Sequence, residues 1–300
     1  MPGSYLHRML NLYDYVTNNS YCKTFKVDDL LWVEYKCMIA DGPIAYWTHN
    51  NYFAYILSGN VKYKSGDSKF EVGGGDALFV RKGTYVAARN GEGNYCALII
   101  FVPDEFIRKI SDKYASIGIA RTAVRHSDSS AIFPINMDES LGTYFHSVLS
   151  YFPRAVAPCD ELLKIKFEEL LLNIFTGGQN PTLAACLRSM RDAGKVALRD
   201  VMESSFMFPM SLAEYARLCA RSLTVFKSEF SELYGMSPGR WLIRKRLDYA
   251  RHLLEHTDDA VNEIASKSGF KNNAHFVTVF KEVYGTSPTK FRSSLTEVLV

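Results

Sequence analysis

The 300-residue chain lacks an uninterrupted apolar run of the roughly 18 residues that a membrane-spanning helix needs, so no membrane span is expected. Its opening, MPGSYLHRMLNLYDYV, has neither an apolar leader core nor a small-residue cleavage site, and no export is expected. The six cysteines (Cys22, Cys37, Cys96, Cys159, Cys186, Cys219) are scattered without a C-x-x-C pair. That fits free thiols in a reducing cytoplasm better than a zinc site or a disulfide frame. Histidine is sparse: His49 stands alone between residues 8 and 125, and there is no H-x-H. A metal-dependent enzyme barrel needs two or three His and a carboxylate on one ion, so that class is disfavoured and His49 reads as a surface or turn residue. There is no Walker loop, no G-x-S-x-G and no Cys/His pair placed for nucleophilic chemistry. No catalytic residue, metal or cofactor is expected.

Charge is present but uneven. The net charge is +3. Residues 195–292 hold 15 Lys and Arg against 11 Asp and Glu, whereas residues 1–194 hold 20 of each. Solvated helix faces are often basic, so a modest surplus alone decides nothing. Its clustering says more: Arg240, Arg244, Lys245, Arg246 and Arg251 fall within twelve residues.

Residues 20–102 read as β structure. Short runs at 32–37, 52–57, 61–64, 69–72, 77–80 and 94–102 are rich in strand formers. They are punctuated by Ser58-Gly59-Asn60, Ser65-Gly66-Asp67, Gly73-Gly74-Gly75-Asp76 and Lys82-Gly83, which predicts a small barrel or jelly roll. After Pro103 the period changes. Helices are predicted at 103–113, 138–151 and 160–175, and a short one at 183–191 before the linker Asp192-Ala193-Gly194. Residues 116–136 have weak periodicity. Leu163, Phe167, Leu170, Leu171 and Ile174 form one apolar stripe, which suits either packing on the barrel or self-association.

The last hundred residues repeat. FKSEFSELYGMSP at 226–238 matches FVTVFKEVYGTSP at 276–288 at an offset of fifty, so a structural unit is duplicated. In each copy Gly235 or Gly285 suits the end of a helix, and Ser237-Pro238 or Ser287-Pro288 the start of the next. A short helix at 212–219, a turn near Ala220-Arg221 and a helix to Tyr234 form a helix-turn-helix. Residues 261–267, the turn Ser268-Gly269-Phe270 and residues 273–284 form a second. Ala216 and Ala265 match at an offset of 49, so the second turn carries one extra residue. Phe226, Phe230, Phe276 and Phe280 are core positions. Residues 238–256 are helical, a rod of roughly 28 Å, close to the roughly 34 Å that separates successive major-groove faces.

On RLDYARHLL (246–254), EIASKSGF (263–270) and VFKEVYGTSPTKFR (279–292), the chain resembles AraC/XylS transcription regulators over residues 198–292. The resemblance implies major-groove positions at Leu223, Thr224, Lys227 and Ser228 in the first unit and Asn273, Ala274, Val277 and Thr278 in the second. Lys227 suits guanine or phosphate, and Asn273 suits adenine. Family members commonly carry Arg where this chain has Ser228 and Thr278. The second unit is therefore expected either to bind mainly through the backbone or to read thymine methyls. Arg240, Arg244 and Arg246 suit phosphate contacts or, equally, a salt-bridged surface.

GGGDALFVRKGTYV (73–86) resembles the cupin-like sensor domain of such regulators. FVRKGTYV (79–86), KIKFEELLLNIF (164–175) and LTVFKSEF (223–230) are similar to the branch that activates type III secretion operons. The expectation is an α+β protein in three parts: a cupin-like regulatory β-barrel at 1–115, a helical dimerisation region at 116–192, and an all-α tandem helix-turn-helix domain at 195–293. Its function would be that of a cytoplasmic, sequence-specific activator. Its expected partners are double-stranded promoter DNA, RNA polymerase, a second copy of the chain, and a small-molecule effector or regulatory protein at the N-terminal domain. The competing readings are a cupin-type enzyme fused to a helical module and an effector-free interaction adaptor.

Overall fold

The computed structural model describes residues 9–37, 43–65, 68–89, 95–117, 130–190 and 198–297. Asn11–Gly194 forms one compact unit, and Lys195–Val300 with the first ten residues forms the other. The predicted linker at 192–194 and residues 66 and 67 of the predicted turn lie outside the described residues. Among the described residues, no helix is long and apolar enough to cross a membrane.

The first unit opens with β1 (Leu10–Asn11) and α1 (Leu12–Asn18), followed by β2 (Lys23–Val27), β3 (Leu30–Cys37), β4 (Pro43–Thr48), β5 (Asn51–Ser58), β6 (Val61–Ser65) and β7 (Ser68–Val72). Next come β8 (Ala77–Val80), β9 (Gly83–Arg89), β10 (Tyr95–Val102), α2 (Asp104–Lys113), β11 (Ile132–Ile135), α3 (Glu139–Leu149), α4 (Asp160–Thr176) and α5 (Pro181–Ser189). The strands make two sheets, in the orders β1-β4-β9-β6-β7 and β11-β8-β5-β10-β3-β2. Among the described residues they do not close into the expected barrel. Their outer strands are short, and β11 carries the exposed Pro134, which blunts an edge against further pairing.

The larger sheet is covered on both faces. Trp32, Phe53, Tyr55, Phe79, Leu98 and Ile100 pack in one core with Ile107 of α2, Phe145 of α3, Phe167 of α4 and Leu187 of α5. The alternate residues face the smaller sheet, where the Tyr52 hydroxyl meets that of Tyr46 at 2.7 Å. Double coverage is why β5, β8 and β10 read as continuous apolar runs rather than alternating ones. It also locates the stripe on α4. Leu163, Phe167, Leu170, Leu171 and Ile174 are each at most 2% exposed, so they are core residues of their own unit and supply no dimer surface. A polar knot fixes α2 to the sheet: Lys82 pairs with Asp104, and buried Asn51 donates to Asp104 at 2.6 Å and accepts from the Lys82 backbone N–H at 3.0 Å.

The second unit is helical: α6 (Leu198–Ser205), α7 (Leu212–Leu218), α8 (Leu223–Tyr234), α9 (Pro238–His256), α10 (Val261–Lys267), α11 (Asn273–Tyr284) and α12 (Pro288–Glu297).

Candidate nucleic-acid interface

The duplication seen in the sequence is repeated in backbone detail. α8 is capped by Ser222, whose side chain accepts from the Val225 N–H, and α11 by Asn272, which accepts from His275. Both helices end on a left-handed glycine, Gly235 at φ +65° and Gly285 at φ +75°. Each is followed by a Ser-Pro helix start. Phe226, Phe230, Phe276 and Phe280 are fully buried. Phe230 packs with Tyr234 and Trp241, and Phe280 packs with Tyr284 and Phe291 in the same pattern fifty residues on.

The two turns differ where the extra residue enters. Arg221 N–H donates to the Ala216 carbonyl at 2.9 Å, and Phe270 N–H donates to the Ala265 carbonyl at 3.0 Å, so Arg221 and Phe270 are equivalent. Their predecessors, Ala220 at φ +54° and Gly269 at φ +87°, share a left-handed backbone. Lys271 is the insertion. In the first turn the nearly buried Arg221 pairs with Glu229. In the second, Phe270 packs against Phe276 at 5.0 Å, and Val279 stands at the position of Glu229. An ion pair in one copy is an apolar contact in the other.

The residues named from the sequence fall on the outer side of α8 and α11. Leu223, Thr224, Lys227 and Ser228 are exposed, as are Asn273, Ala274, Val277 and Thr278. They lie across the helix from the buried Phe pairs, near the N-terminal ends that enter a groove in helix-turn-helix proteins. Arg240 and Arg244 on α9 are exposed too. Arg246 departs from expectation. Its guanidinium donates to the carbonyls of Phe206 at 2.7 Å and Phe208 at 2.8 Å, so it holds the loop before α7 and is not a free phosphate ligand. Lys245 is likewise engaged, with Glu203 at 2.8 Å. An exposed cation at a position equivalent to a named one was missed by sequence reasoning. Lys290 occupies on α12 the place of Arg240 on α9, and the offset of fifty would have found it.

In the first unit, half-buried His49 lies against Tyr13 and Trp47. No group of three or more potential metal ligands occurs among the described residues. Burial raises the phenol pKa values of Tyr46, Tyr52 and Tyr95 well above the ordinary range. The inter-sheet hydroxyls are therefore neutral.

Comparison with known proteins gives two family matches: the ExsA N-terminal regulatory domain over residues 51–186 and a helix-turn-helix domain over residues 215–294. The chain is 26% identical over 238 residues to the thermoregulatory protein LcrF of Yersinia pestis, covering 79% of this chain and 87% of that one. It is 26% identical over 246 residues to the HTH-type transcriptional regulator ExsA of Pseudomonas aeruginosa, covering 81% and 86%. Among solved structures, ToxT of Vibrio cholerae aligns with 89% of this chain and 98% of that one at 16% identity and a TM-score of 0.41.

Proposed function

We propose that this chain, which belongs to the AraC/XylS family of transcription regulators, activates transcription by placing α8 and α11 in successive major-groove segments of double-stranded promoter DNA and engaging RNA polymerase there. The single observation that carries the reading is a pair of equivalent helix-turn-helix bodies, whose second helices each have a side-chain N-cap and end on a left-handed glycine, joined by one continuous helix, α9, of 19 residues. At about 1.5 Å per residue that helix spans roughly 28 Å, short of one duplex turn by less than the width of a helix. Thr224, Lys227, Ser228 and Asn273 supply polar contacts to base edges, and Arg240, Arg244 and Lys290 supply phosphate contacts that fix register.

The N-terminal unit belongs to the same proposal as the regulatory part. An effector or a partner protein acting on it sets when DNA is bound productively in the cytoplasm. Type III secretion operons are the target genes in this reading, which the similarity to LcrF and ExsA supports. Its cupin-like character lies in the two facing sheets and the Gly-rich turn at Gly73–Asp76. If two copies pair through α4, the contact uses the outer face of that helix, where Ile165 is 60% exposed, and not the buried stripe. Sedimentation of the Ile165→Asp variant, expected to be monomeric, tests that point.

Binding measured across a salt series tests the DNA reading. About three phosphate contacts predict a slope of log K against log salt of roughly −2.7, and Arg244→Ala should reduce its magnitude by about one. Lys227→Ala should cost roughly 1–3 kcal/mol on a specific site if Lys227 reads a base. A salt-independent affinity removes the assignment of these cations.

A further inference from the structure

We infer that the two reading helices divide the operator by chemistry, and that α11 recognises a thymine-rich A·T segment through the methyl groups of the thymines. The inference rests on the DNA-binding reading above and deepens it. The equivalent outward positions are Thr224 and Ala274, Lys227 and Val277, and Ser228 and Thr278. In the first copy they offer two hydroxyls and an ammonium. In the second, Ala274 has only a methyl, and Val277 is 38% exposed. Thr278 has a hydroxyl, but that hydroxyl donates to the Ala274 carbonyl one turn back at 3.0 Å. Its one proton is spent on its own helix, so towards a partner Thr278 presents a methyl and an acceptor oxygen but no donor. Three successive outward positions of α11 therefore offer methyl groups and no hydrogen-bond donor. Asn273 supplies the amide at the N-terminal end, while Lys271 and Lys281, both exposed, lie to either side along the chain.

The major-groove edge of DNA has one apolar group, the thymine C5 methyl; every other base feature there is a hydrogen-bond donor or acceptor. Pressed onto guanine, this surface would strip water from O6 and N7 and give no donor back, and unpaired polar groups are costly. Pressed onto thymine methyls, it buries apolar surface on both sides. The Asn273 amide can meanwhile satisfy an adenine N6 and N7. A docking site for a protein would not explain why the change from polar to apolar falls on the groove-facing positions of one copy and spares the same positions of the other.

The test uses the full-length protein and duplex DNA. A random-sequence duplex pool is partitioned by binding, and the enriched duplex is remade with each thymine replaced singly by deoxyuridine, which removes only the methyl. Two or three positions within one segment should each lose about fourfold in affinity, the value of one buried methyl. The Val277→Ala/Thr278→Ser variant should bind the parent duplex correspondingly more weakly and show no further loss at those same positions. Val277→Thr, which keeps the volume of the side chain, should abolish part of the coupling without disturbing the fold. If every deoxyuridine effect is unchanged in the variants, or if the segment coupled to residues 277 and 278 is rich in G·C pairs, the inference is overturned while DNA binding stands. If the pool shows no enrichment, the DNA-binding reading itself falls and takes this one with it.

Discussion

At Gly269 the backbone sits at φ +87°, and a Cβ there would lie 2.7 Å from the Met207 carbonyl oxygen and 2.9 Å from Arg246 Nε. Gly235 has a similar φ of +65° but nothing within 4 Å of the place its Cβ would take. The two positions separate strain from collision. Gly235→Ala should cost only the left-handed backbone term, about 1–2 kcal/mol. Gly269→Ala adds a clash with a main-chain carbonyl and with the arginine that holds the 206–208 loop, so urea denaturation should show a clearly larger loss, about 3 kcal/mol or more. Equal losses would mean that the turn relaxes away from Met207. Sequence alone marks both glycines as turn residues, but nothing local distinguishes them. The difference is made by Phe206–Phe208, some sixty residues away along the chain.

Among the elements, α9 bears on both copies. Trp241 packs with Phe230 and Tyr234 of the first, while Leu247, Ala250 and Leu254 share the core of the second with Ile264, Phe276 and Phe280. Arg251→Pro would remove a backbone N–H and drive a ring into the carbonyl of Leu247, costing about 3 kcal/mol or more and loosening the second core. Arg251→Ala removes the exposed pair with Glu255, 3.7 Å apart, and the cation–π contact with Tyr284 at 5.7 Å, together worth about 1.5 kcal/mol or less. Thermal unfolding of the two variants checks the contrast. The helices of this unit were legible because their caps and glycines are punctuation written in local sequence. Elements that depend on distant partners were not: β4 begins at Pro43, β11 contains Pro134, and β9 reads as the end of a glycine turn until its pairing with β4 and β6 is known. The outward positions of α8 and α11 could be named in advance. The commitment of Arg246 to Phe206 and Phe208 could not, because neither carbonyl is signalled by a motif.

For the whole molecule, buried phenols make stability depend on alkali. Burial pushes the hydroxyls of Tyr46, Tyr52, Tyr85, Tyr95 and Tyr144 upward in the first unit, and raises Tyr215 to about 12 in the second against the opposing pull of Arg246. A folded-state pKa above the unfolded one keeps the proton on the folded chain longer. The stability this contributes is complete below about pH 10, where unfolded tyrosine is still neutral, and is lost as pH rises through the folded-state pKa, about 12 for Tyr215. Both units should therefore hold a flat stability from neutrality to about pH 10 and unfold above it, with phenolate absorbance appearing together with loss of helix signal. Gradual phenolate formation with the fold intact would place these hydroxyls in contact with water.

Ala220 keeps, at φ +54°, the backbone shape that Gly269 has in the sister turn. A residue with a Cβ is ill suited to that shape, so the first turn carries a local strain that the second does not. Restoring glycine there should relieve about 1–2 kcal/mol of local strain, partly offset by about 0.5–1 kcal/mol of added chain freedom in the unfolded state. A small gain in melting temperature for Ala220→Gly would then measure that strain directly. A loss would mean that the methyl group contributes more to the fold than the strained backbone costs it.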